Sequence, residues 1–220
     1  MGCGKRLMIL DMDGVVLDSE PLHKEAREIM MERYGVMGME DLLATVVGKS
    51  MRDFWAAVKE RMLPGIDPDA MEREHYLLVA RLVGERPGLE SRGLREFLRW
   101  AKDRGMRIAL ASSSLRVMVD EVLRCLDLTE VFDITVAGDE VVHKKPEADI
   151  YKKALQLAGC HPHEAVAVED SATGIEAAHR AGVFCFGYRN ITSGWQDLSR
   201  ADGMIEHLKD IMEKSEVWEV

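Results

Sequence analysis

The sequence predicts an α/β protein with a doubly wound, Rossmann-like parallel sheet and an inserted all-helical domain. Three observations lead to this prediction. Short runs of apolar, β-forming residues recur along the chain, stretches of helical periodicity separate them, and one long connection near the N-terminus contains no convincing strand. Strands that alternate with helices indicate parallel pairing through right-handed crossovers.

The β-type runs are nearly continuous in apolar residues, which is typical of strands buried on both faces of a parallel sheet. In chain order they are RLMILD, MRIALAS, DITVAGD, AVAVED and GVFCFGY. Three of the helical stretches between them end at a glycine, namely Gly105, Gly159 or Gly182. A glycine directly after the last helical turn favours a left-handed C-terminal cap, so these positions predict helix ends.

The long connection after the first strand is interpreted as a set of helices. The predicted ranges are about 19–34, 39–47, 51–63 and 68–83. Ser19 is a candidate N-cap of the first helix, with Pro21 in its first turn, and Asp67 is a candidate start of the last. An insertion of this size predicts a second, smaller domain.

The predicted domain boundaries follow from this insertion. Residues 1–16 and 91–220 form the expected core, and residues 17–90 form the expected helical cap. The linkers fall at about 15–18 and 86–92. The second linker contains ERPGLESRG, whose proline, glycines and polar residues are typical of a hinge.

Composition excludes several classes of function. The 220 residues are 47% hydrophobic and 31% charged with a net charge of -10, which indicates an acidic globular protein rather than a nucleic-acid binder. No apolar run is long enough for a membrane span, and no signal-peptide cleavage pattern follows the first residues. The four cysteines lack CxxC spacing and are interpreted as free thiols, so we expect a cytoplasmic protein, by default a monomer.

Polar side chains follow four of the predicted strands at the points where the strands end. They are Asp11 and Asp13, then Ser112, Ser113 and Ser114, then Lys144 and Lys145, and finally Glu169 and Asp170. Ligands of open α/β sheets bind outside the carboxyl ends of the strands. The four strand ends therefore predict one shared site, whereas a single acidic turn after a strand would predict nothing.

The carboxylates of this set suit a hard divalent cation such as Mg²⁺, which prefers oxygen ligands. Asp11 and Asp170 are candidate side-chain ligands, and the backbone carbonyl of Asp13 is a further candidate. Glu169 is expected either to bind the metal directly or to support the other ligands. The cofactor predicted from these residues is Mg²⁺.

The remaining side chains suit a phosphoryl group. The hydroxyl of Ser112, with Ser113 beside it, and the ammonium group of Lys145 can hold phosphoryl oxygens. Asp11 can attack phosphorus to form an aspartyl-phosphate. Asp13, two residues later, can protonate the leaving oxygen and then deprotonate an incoming water or alcohol.

The motifs DMDGVVLDSEP, ALASSS, KKPEADIY and VEDSATGIEAAHRAG resemble the four successive motifs of the haloacid dehalogenase-like hydrolase superfamily. The insertion resembles the small helical cap of its β-phosphoglucomutase-like subfamily, which includes sugar-phosphate phosphatases. The resemblance implies that Asp11 is the nucleophile and Asp13 the general acid/base. It also implies that Ser112 and Lys145 hold the phosphoryl group, and that Asp11, Asp13, Glu169 and Asp170 surround Mg²⁺.

Within that subfamily the sequence favours a phosphatase acting on a small phosphorylated metabolite, such as a sugar phosphate. A β-phosphoglucomutase-type phosphotransferase is the alternative, since Arg52 and His23 stand where the mutases have a cap arginine and a histidine; Lys49 is a further cap candidate. Against it, DSEPLH is more similar to the phosphatases, and Arg116 stands near the position of a mutase lysine, which it can replace only electrostatically. A receiver-like phosphorylation switch and a silent binding protein are less favoured.

Overall fold

The computed structural model describes residues 5–37, 51–86 and 88–214. The strands within these ranges are β1 (Leu7–Leu10), β2 (Arg107–Ala111), β3 (Ile134–Val136), β4 (Ala165–Glu169), β5 (Phe184–Tyr188) and β6 (Gly203–Ile205). They form one parallel sheet in the order β3-β2-β1-β4-β5-β6. The predicted doubly wound α/β fold is confirmed.

The helices lie on both sides of this sheet and in the insertion. In chain order they are α1 (Glu20–Arg33), α2 (Met51–Arg61), α3 (Pro68–Glu85), α4 (Leu94–Asp103), α5 (Arg116–Cys125), α6 (Asp149–Ala158), α7 (Ala172–Arg180) and α8 (Lys209–Glu213). Helices α4, α6 and α7 are followed by the predicted glycines Gly105, Gly159 and Gly182, each of which has a positive φ.

Strand β1 occupies the centre of the sheet and determines where the site lies. It pairs with β2 on one side and with β4 on the other, so Leu10 aligns with Leu110 and with Val168. The chain therefore winds outward in one direction through β2 and β3, then crosses back to β4. This reversal opens a crevice beyond the carboxyl ends of β1 and β4, which is where ligands of such sheets bind.

Strand β6, the edge strand beside β5, was not predicted from the sequence. It is only three residues long, Gly203–Ile205, and polar residues precede and follow it. Two of its residues are partly exposed. A strand this short, with one neighbour, produces no continuous apolar run and therefore no recognisable sequence signal.

The insertion contains three of the predicted helices, α1, α2 and α3, while the predicted helix at 39–47 and Lys49 lie outside the described residues. A small apolar cluster joins the three helices, and its fully buried members include Met30, Phe54, Trp55 and Val58. No observation tests the domain boundaries, which stay predictions. Burial of large side chains such as Trp55 between helices is consistent with a separate small core.

The two predicted helix starts behave differently. Asp67 caps α3, because its carboxylate accepts a hydrogen bond from the backbone N–H of Asp69 at 3.1 Å. Ser19 occupies the N-cap position of α1 but makes no side-chain capping bond. Its hydroxyl instead donates to Asp13 Oδ1 at 2.6 Å. The expectation that Ser19 caps α1 was therefore wrong, because a carboxylate outside the helix takes its hydroxyl.

The two predicted linkers run side by side between the core and the insertion. The backbone N–H of Asp18 donates to the carbonyl of Leu89 at 2.9 Å, and that of Ser91 donates to Val16 at 3.1 Å. Helix α3 also packs against α5 of the core. The insertion thus lies over the carboxyl edge of the sheet and is attached to the core by paired chain segments.

The described cysteines and the segment of residues 160–163 do not line the crevice. Of the cysteines, Cys125, Cys160 and Cys185 are free thiols, and Cys3 lies outside the described residues. The segment of residues 160–163 passes through a short 3-10 turn, where the rings of His161 and His163 stack. Among the helices that the structure describes, none has the length and apolar content needed to cross a bilayer.

Candidate active site

A cavity of about 340 Å³ lies between the carboxyl edge of the sheet and helices α1 and α3. The core contributes Asp11, Asp13, Ser113, Lys145 and Asp170 to its lining, and the insertion contributes Ser19, His23 and Tyr76. The strand ends therefore converge as the sequence predicted. The size of the cavity suits a small metabolite rather than a polymer.

Lys145 lies at the centre of the buried charges. Its ammonium group donates to Asp11 Oδ1 at 2.5 Å, to Glu169 Oε1 at 2.6 Å and to the carbonyl of Ala111 at 2.9 Å. Only 5% of its side chain is exposed. Burial alone would lower the pKa of Lys145, but Asp11 and Glu169 outweigh it and raise that pKa, so the group is a permanent cation.

Three carboxylates surround a single point beside this lysine. Oxygen atoms of Asp11, Glu169 and Asp170 all lie within 4.8 Å of one another. Burial raises the pKa of Asp11 well above its usual value; Lys145 opposes this shift, and the two other carboxylates add to it. Burial likewise raises the pKa of Asp170 to about 7, although a hydrogen bond from Ser193 opposes the rise. One ammonium group does not neutralise three buried carboxylates.

This cluster fits a divalent cation by its donor set. Glu169 Oε1 accepts hydrogen bonds from Lys145 and from the hydroxyl of Tyr151, whereas its Oε2 is buried and has no hydrogen-bond partner within the described part of the chain. Hard cations such as Mg²⁺ take carboxylate oxygens as ligands. The unmatched negative charge and the unpaired oxygen are what such an ion would satisfy.

Asp13 lies outside this cluster and has a different environment. It accepts hydrogen bonds from the hydroxyls of Ser19 and Ser114, both at 2.6 Å, and its Oδ1 lies 3.3 Å from His23 Nε2. Burial alone would raise the pKa of Asp13, but the hydrogen bonds from His23, Ser114 and Ser19 outweigh it and lower the pKa to about 2. The pKa values of the two aspartates are thus shifted in opposite directions, upward for Asp11 and downward for Asp13.

The serines after β2 have different positions. Ser112 is fully buried, and its hydroxyl accepts from the backbone N–H of Ser114 at 3.0 Å and lies 3.4 Å from Asp13 Oδ2. Ser113 and Ser114 line the cavity, whereas Ser112 forms the layer beneath it. The structure thus brings the predicted residue Ser113 to the surface of the site and places the predicted residue Ser112 just behind it.

Comparison with known proteins shows the family of the chain. A family model described as haloacid dehalogenase-like hydrolase matches residues 5–182. The chain belongs to this family. It is 35% identical over 183 residues to the phosphorylated carbohydrates phosphatase of Thermotoga maritima, covering 80% of this chain and 81% of that protein. It is 30% identical over 177 residues to the fructose-1-phosphate phosphatase YqaB of Escherichia coli, with coverage of 80% and 92%.

A solved structure extends the likeness to the whole fold. CbbY from Rhodobacter sphaeroides, in complex with phosphate, superposes with a TM-score of 0.83 at 25% sequence identity. The match covers 94% of this chain and 96% of that one. The family resemblance predicted from the four motifs is therefore confirmed, and the chain is a haloacid dehalogenase-like hydrolase with an inserted helical segment.

Two predicted substrate-binding residues of the hydrolase do not line the cavity. The guanidinium of Arg52 forms an ion pair with Asp69, and more than half of its side chain is exposed on α2. Arg116 at the start of α5 donates to Asp120 at 3.0 Å and to Glu140 at 2.9 Å. Local carboxylates hold both guanidinium groups, so neither reaches the cavity; of the predicted insertion residues, His23 does.

Several residues in or next to the lining of the cavity were not predicted. Ser193 lines the cavity and donates to Asp170 Oδ2 at 2.5 Å, and Glu72 of α3 accepts a hydrogen bond from Lys144 at 3.2 Å. His75 and Tyr76 follow on the same helix. Their spacing with Glu72 places all three on one helical face. Polar residues at i, i+3 and i+4 on an otherwise apolar face were the signal that could have revealed them.

We expect Gly174→Ala to damage the hydrolase. A Cβ at this position of α7 would lie 1.8 Å from Glu169 Oε2, and Glu169 is fully buried and held by Lys145. Displacing it should lower the unfolding free energy by about 1–3 kcal/mol and activity by at least about tenfold. Urea unfolding and initial rates measure both effects.

Gly84→Ala in α3 is the matched control. There the nearest contact of a Cβ is the flexible carboxylate of Glu121 at 3.3 Å. This substitution should be neutral or should stabilise the protein by about 0.5 kcal/mol, because alanine favours helix more than glycine does. If the two variants lose equal stability and activity, the close packing of Gly174 on Glu169 has no functional importance.

Proposed function

We propose that the chain is a Mg²⁺-dependent phosphatase that hydrolyses a small phosphorylated metabolite, a sugar phosphate, through an aspartyl-phosphate on Asp11. One observation carries this proposal. Asp11 and Asp13 face one cavity but differ in environment: Asp11 lies beside Lys145 among other carboxylates, and Asp13 lies among hydrogen-bond donors. The names of the two relatives, a phosphorylated carbohydrates phosphatase and a fructose-1-phosphate phosphatase, support the substrate class.

The reaction divides between the two aspartates. In the first step Asp11 forms a bond to phosphorus, the bond to the leaving oxygen breaks, and Asp13 gives that oxygen a proton. In the second step Asp13 takes a proton from water, whose oxygen attacks phosphorus and releases Asp11 as a carboxylate. The low pKa of Asp13 keeps its carboxylate deprotonated, as the start of the second step requires, while the first step requires a proton brought in with the substrate.

Asp11, Glu169 and Asp170 would hold the metal ion, and Lys145 stays beside them as the fixed cation. When bound, Mg²⁺ would offset negative charge on the carboxylates and on phosphoryl oxygens. Of Asp13, which the sequence placed among the metal ligands, only the backbone carbonyl suits that role. Its side chain is held away from the cluster by Ser19, Ser114 and His23.

Metal affinity should depend on the protonation of Asp170. Its pKa is raised to about 7, so the metal-free protein takes up a proton there as pH falls through that value. A protonated ligand competes with the metal, so the apparent Mg²⁺ affinity should fall by up to about tenfold per pH unit below this pKa. Calorimetric titration at about pH 6 and about pH 8 measures the difference.

The same raised pKa makes a prediction for stability. A carboxyl group with a raised pKa in the folded state stabilises the metal-free protein at low pH, and this contribution is lost as pH rises through about 7. Added Mg²⁺ should therefore raise the melting temperature more at about pH 8 than at about pH 6. Ser193→Ala, which removes the hydrogen bond that lowers the pKa of Asp170, should move both effects to higher pH. Equal affinities at both pH values would contradict this assignment of Asp170.

The phosphotransferase alternative needs a grip on a second phosphate. Within the described residues, the cations that line the cavity are already paired, Lys144 with Glu72 and Lys145 with Asp11. Arg52, the candidate for that second grip, is paired with Asp69. This arrangement favours water over a sugar as the acceptor. Membership of a hydrolase family also disfavours a receiver-like switch or a silent binding protein.

The test is turnover of p-nitrophenyl phosphate with Mg²⁺, followed by a panel of sugar phosphates. We expect release of inorganic phosphate from both. Absence of turnover on every phosphate ester would contradict the proposal. With β-glucose 1-phosphate, formation of glucose 6-phosphate without free phosphate would establish the mutase instead. The cytoplasmic location, the monomeric state and the absence of nucleic-acid and membrane partners stay predictions from the sequence.

A further inference from the structure

His75 of α3 is a fully buried histidine directly behind the cavity wall. Its ring stacks on that of His23 of α1, with centroids 5.2 Å apart and planes inclined by 14°. His75 Nε2 lies 2.9 Å from His23 Nδ1. Two imidazole rings at this distance share one hydrogen, so the protonation of each ring nitrogen depends on the other ring.

His23 continues the chain of hydrogen bonds to the catalytic centre. Its second nitrogen, Nε2, lies 3.3 Å from Asp13 Oδ1. Asp13 already receives hydrogen bonds from Ser19 and Ser114, as a carboxylate does. A carboxylate can only accept, so His23 Nε2 must carry a hydrogen and donate it. In the hydrogen-bonded chain of Asp13, His23 and His75, the first hydrogen bond therefore runs from His23 Nε2 as donor to Asp13 as acceptor.

The second link follows from counting hydrogens. If His23 is neutral, its Nδ1 is a bare acceptor, and His75 Nε2 must be the donor. His75 Nδ1 is then a bare nitrogen, which agrees with its being buried without a hydrogen-bond partner among the described residues. The opposite arrangement would leave a buried N–H without an acceptor at Nδ1, which proteins avoid more strongly than an unused acceptor.

The surroundings of His75 keep it neutral. Burial lowers the pKa of His75 well below its usual value, and the positive charge of nearby Arg27 adds to this effect. The Tyr76 ring also packs nearly perpendicular to both imidazoles, with centroid distances of 5.9 Å to His23 and 5.8 Å to His75. A neutral, enclosed imidazole with one free lone pair has a single hydrogen to donate, and within the described part of the chain its acceptor is His23 Nδ1.

We propose that His75 is a positioning residue, which fixes His23 in the tautomer with hydrogen on Nε2 and aims that N–H at Asp13. The proposal deepens the proposed function and depends on it for the role of Asp13. His23 and His75 both belong to the insertion, whereas Asp13 belongs to the core. The hydrogen bond of His23 to Asp13 thus exists only while the insertion covers the cavity, and His75 keeps the donor ready for that contact.

The test compares two substitutions of His75. In His75→Gln the amide nitrogen can reach the position of Nε2 and donate to His23, whereas in His75→Leu no donor remains. His179→Gln is the matched control, because His179 is a partly exposed histidine on α7 that pairs with Asp202 outside the cavity. Nitrogen-15 NMR of the imidazoles reports the tautomer of His23 in each protein. The assignment of the His23 signals is made with His23→Gln.

Three readouts separate positioning from a merely structural role. The wild type, His75→Gln and His179→Gln should show one His23 tautomer, with hydrogen on Nε2, and His75→Leu should show a mixture. In His75→Leu, kcat should fall about tenfold with little change in KM, and His75→Gln should recover most of it. Thermal stability of His75→Leu should change little, because removal of the buried, unpartnered Nδ1 offsets the loss of the hydrogen bond from Nε2 to His23.

The outcomes also separate this proposal from the proposed function. If His75→Leu keeps the wild-type tautomer of His23, or keeps the wild-type kcat on the best phosphate ester, positioning by His75 is wrong whatever the substrate. If no phosphate ester is turned over, the proposed function fails, while the NMR comparison still decides the tautomer. Loss of activity in His75→Leu together with equal loss in His75→Gln would also overturn the proposal.

Discussion

Asp11→Asn should abolish phosphate release, with a fall in kcat of about 10⁴-fold or more. The amide cannot attack phosphorus, and it also removes a carboxylate from the cluster with Glu169 and Asp170. The substitution changes no volume, so the fold should persist. Initial rates with p-nitrophenyl phosphate measure the loss, and mass spectrometry of the quenched wild-type protein should detect phosphate on Asp11.

Asp103→Asn is the matched control for this experiment. Asp103 ends α4, is exposed, and comes just before the start of β2, whereas the cavity lies beyond the carboxyl ends of the strands. It should keep the wild-type rate, which would show that the loss of a carboxylate as such has no effect. Substantial turnover by Asp11→Asn, within about tenfold of the wild type, would contradict Asp11 as nucleophile and with it the proposed mechanism.

Lys145→Met should reduce both activity and stability. The ammonium group is buried between Asp11 and Glu169, with side-chain exposures of 5%, 10% and 0% for the three residues. Removing one member of a buried ionic group leaves the others uncompensated, at a cost of about 3–5 kcal/mol in unfolding free energy. Activity should fall by about 10³-fold, since the phosphoryl group also loses its cation.

The response of the melting temperature to Mg²⁺ provides a further test of this second prediction. In Lys145→Met the carboxylates carry more unmatched charge, so Mg²⁺ should raise the melting temperature of the variant more than that of the wild type. Lys152→Met on the exposed face of α6 is the control and should behave as the wild type. A variant of unchanged stability, with no added response to Mg²⁺, would show that the lysine does not balance the cluster.

The four strand ends could be predicted from the sequence because each signal is local. An apolar run identifies the strand, and the next residues are polar whatever the rest of the chain does. Parallel pairing then brings Asp11, Lys145 and Asp170 to one edge without further information. The family resemblance rests on the same short motifs, which explains why fold and family were predicted together.

The rest of the site depends on how the insertion packs on the core, which no local pattern encodes. Ser19 was assigned to a helix cap because its own sequence neighbours suggest that role, whereas its hydroxyl donates to Asp13 in the folded chain. Arg116 could not be distinguished from a phosphate ligand until Asp120 and Glu140 were seen around it. His75 was overlooked because its importance depends on His23, fifty-two positions earlier in the chain.

The side-by-side linkers have a mechanical consequence. Because hydrogen bonds join the two linkers, we expect the insertion to move relative to the core mainly by rotation about them. The first linker begins next to the candidate active site. There the N–H of Gly14, which lines the cavity, donates to the carbonyl of Leu17 at 2.8 Å. A rotation of the insertion about the linkers would therefore change the backbone of the loop that carries Asp13, the residue proposed to transfer the proton.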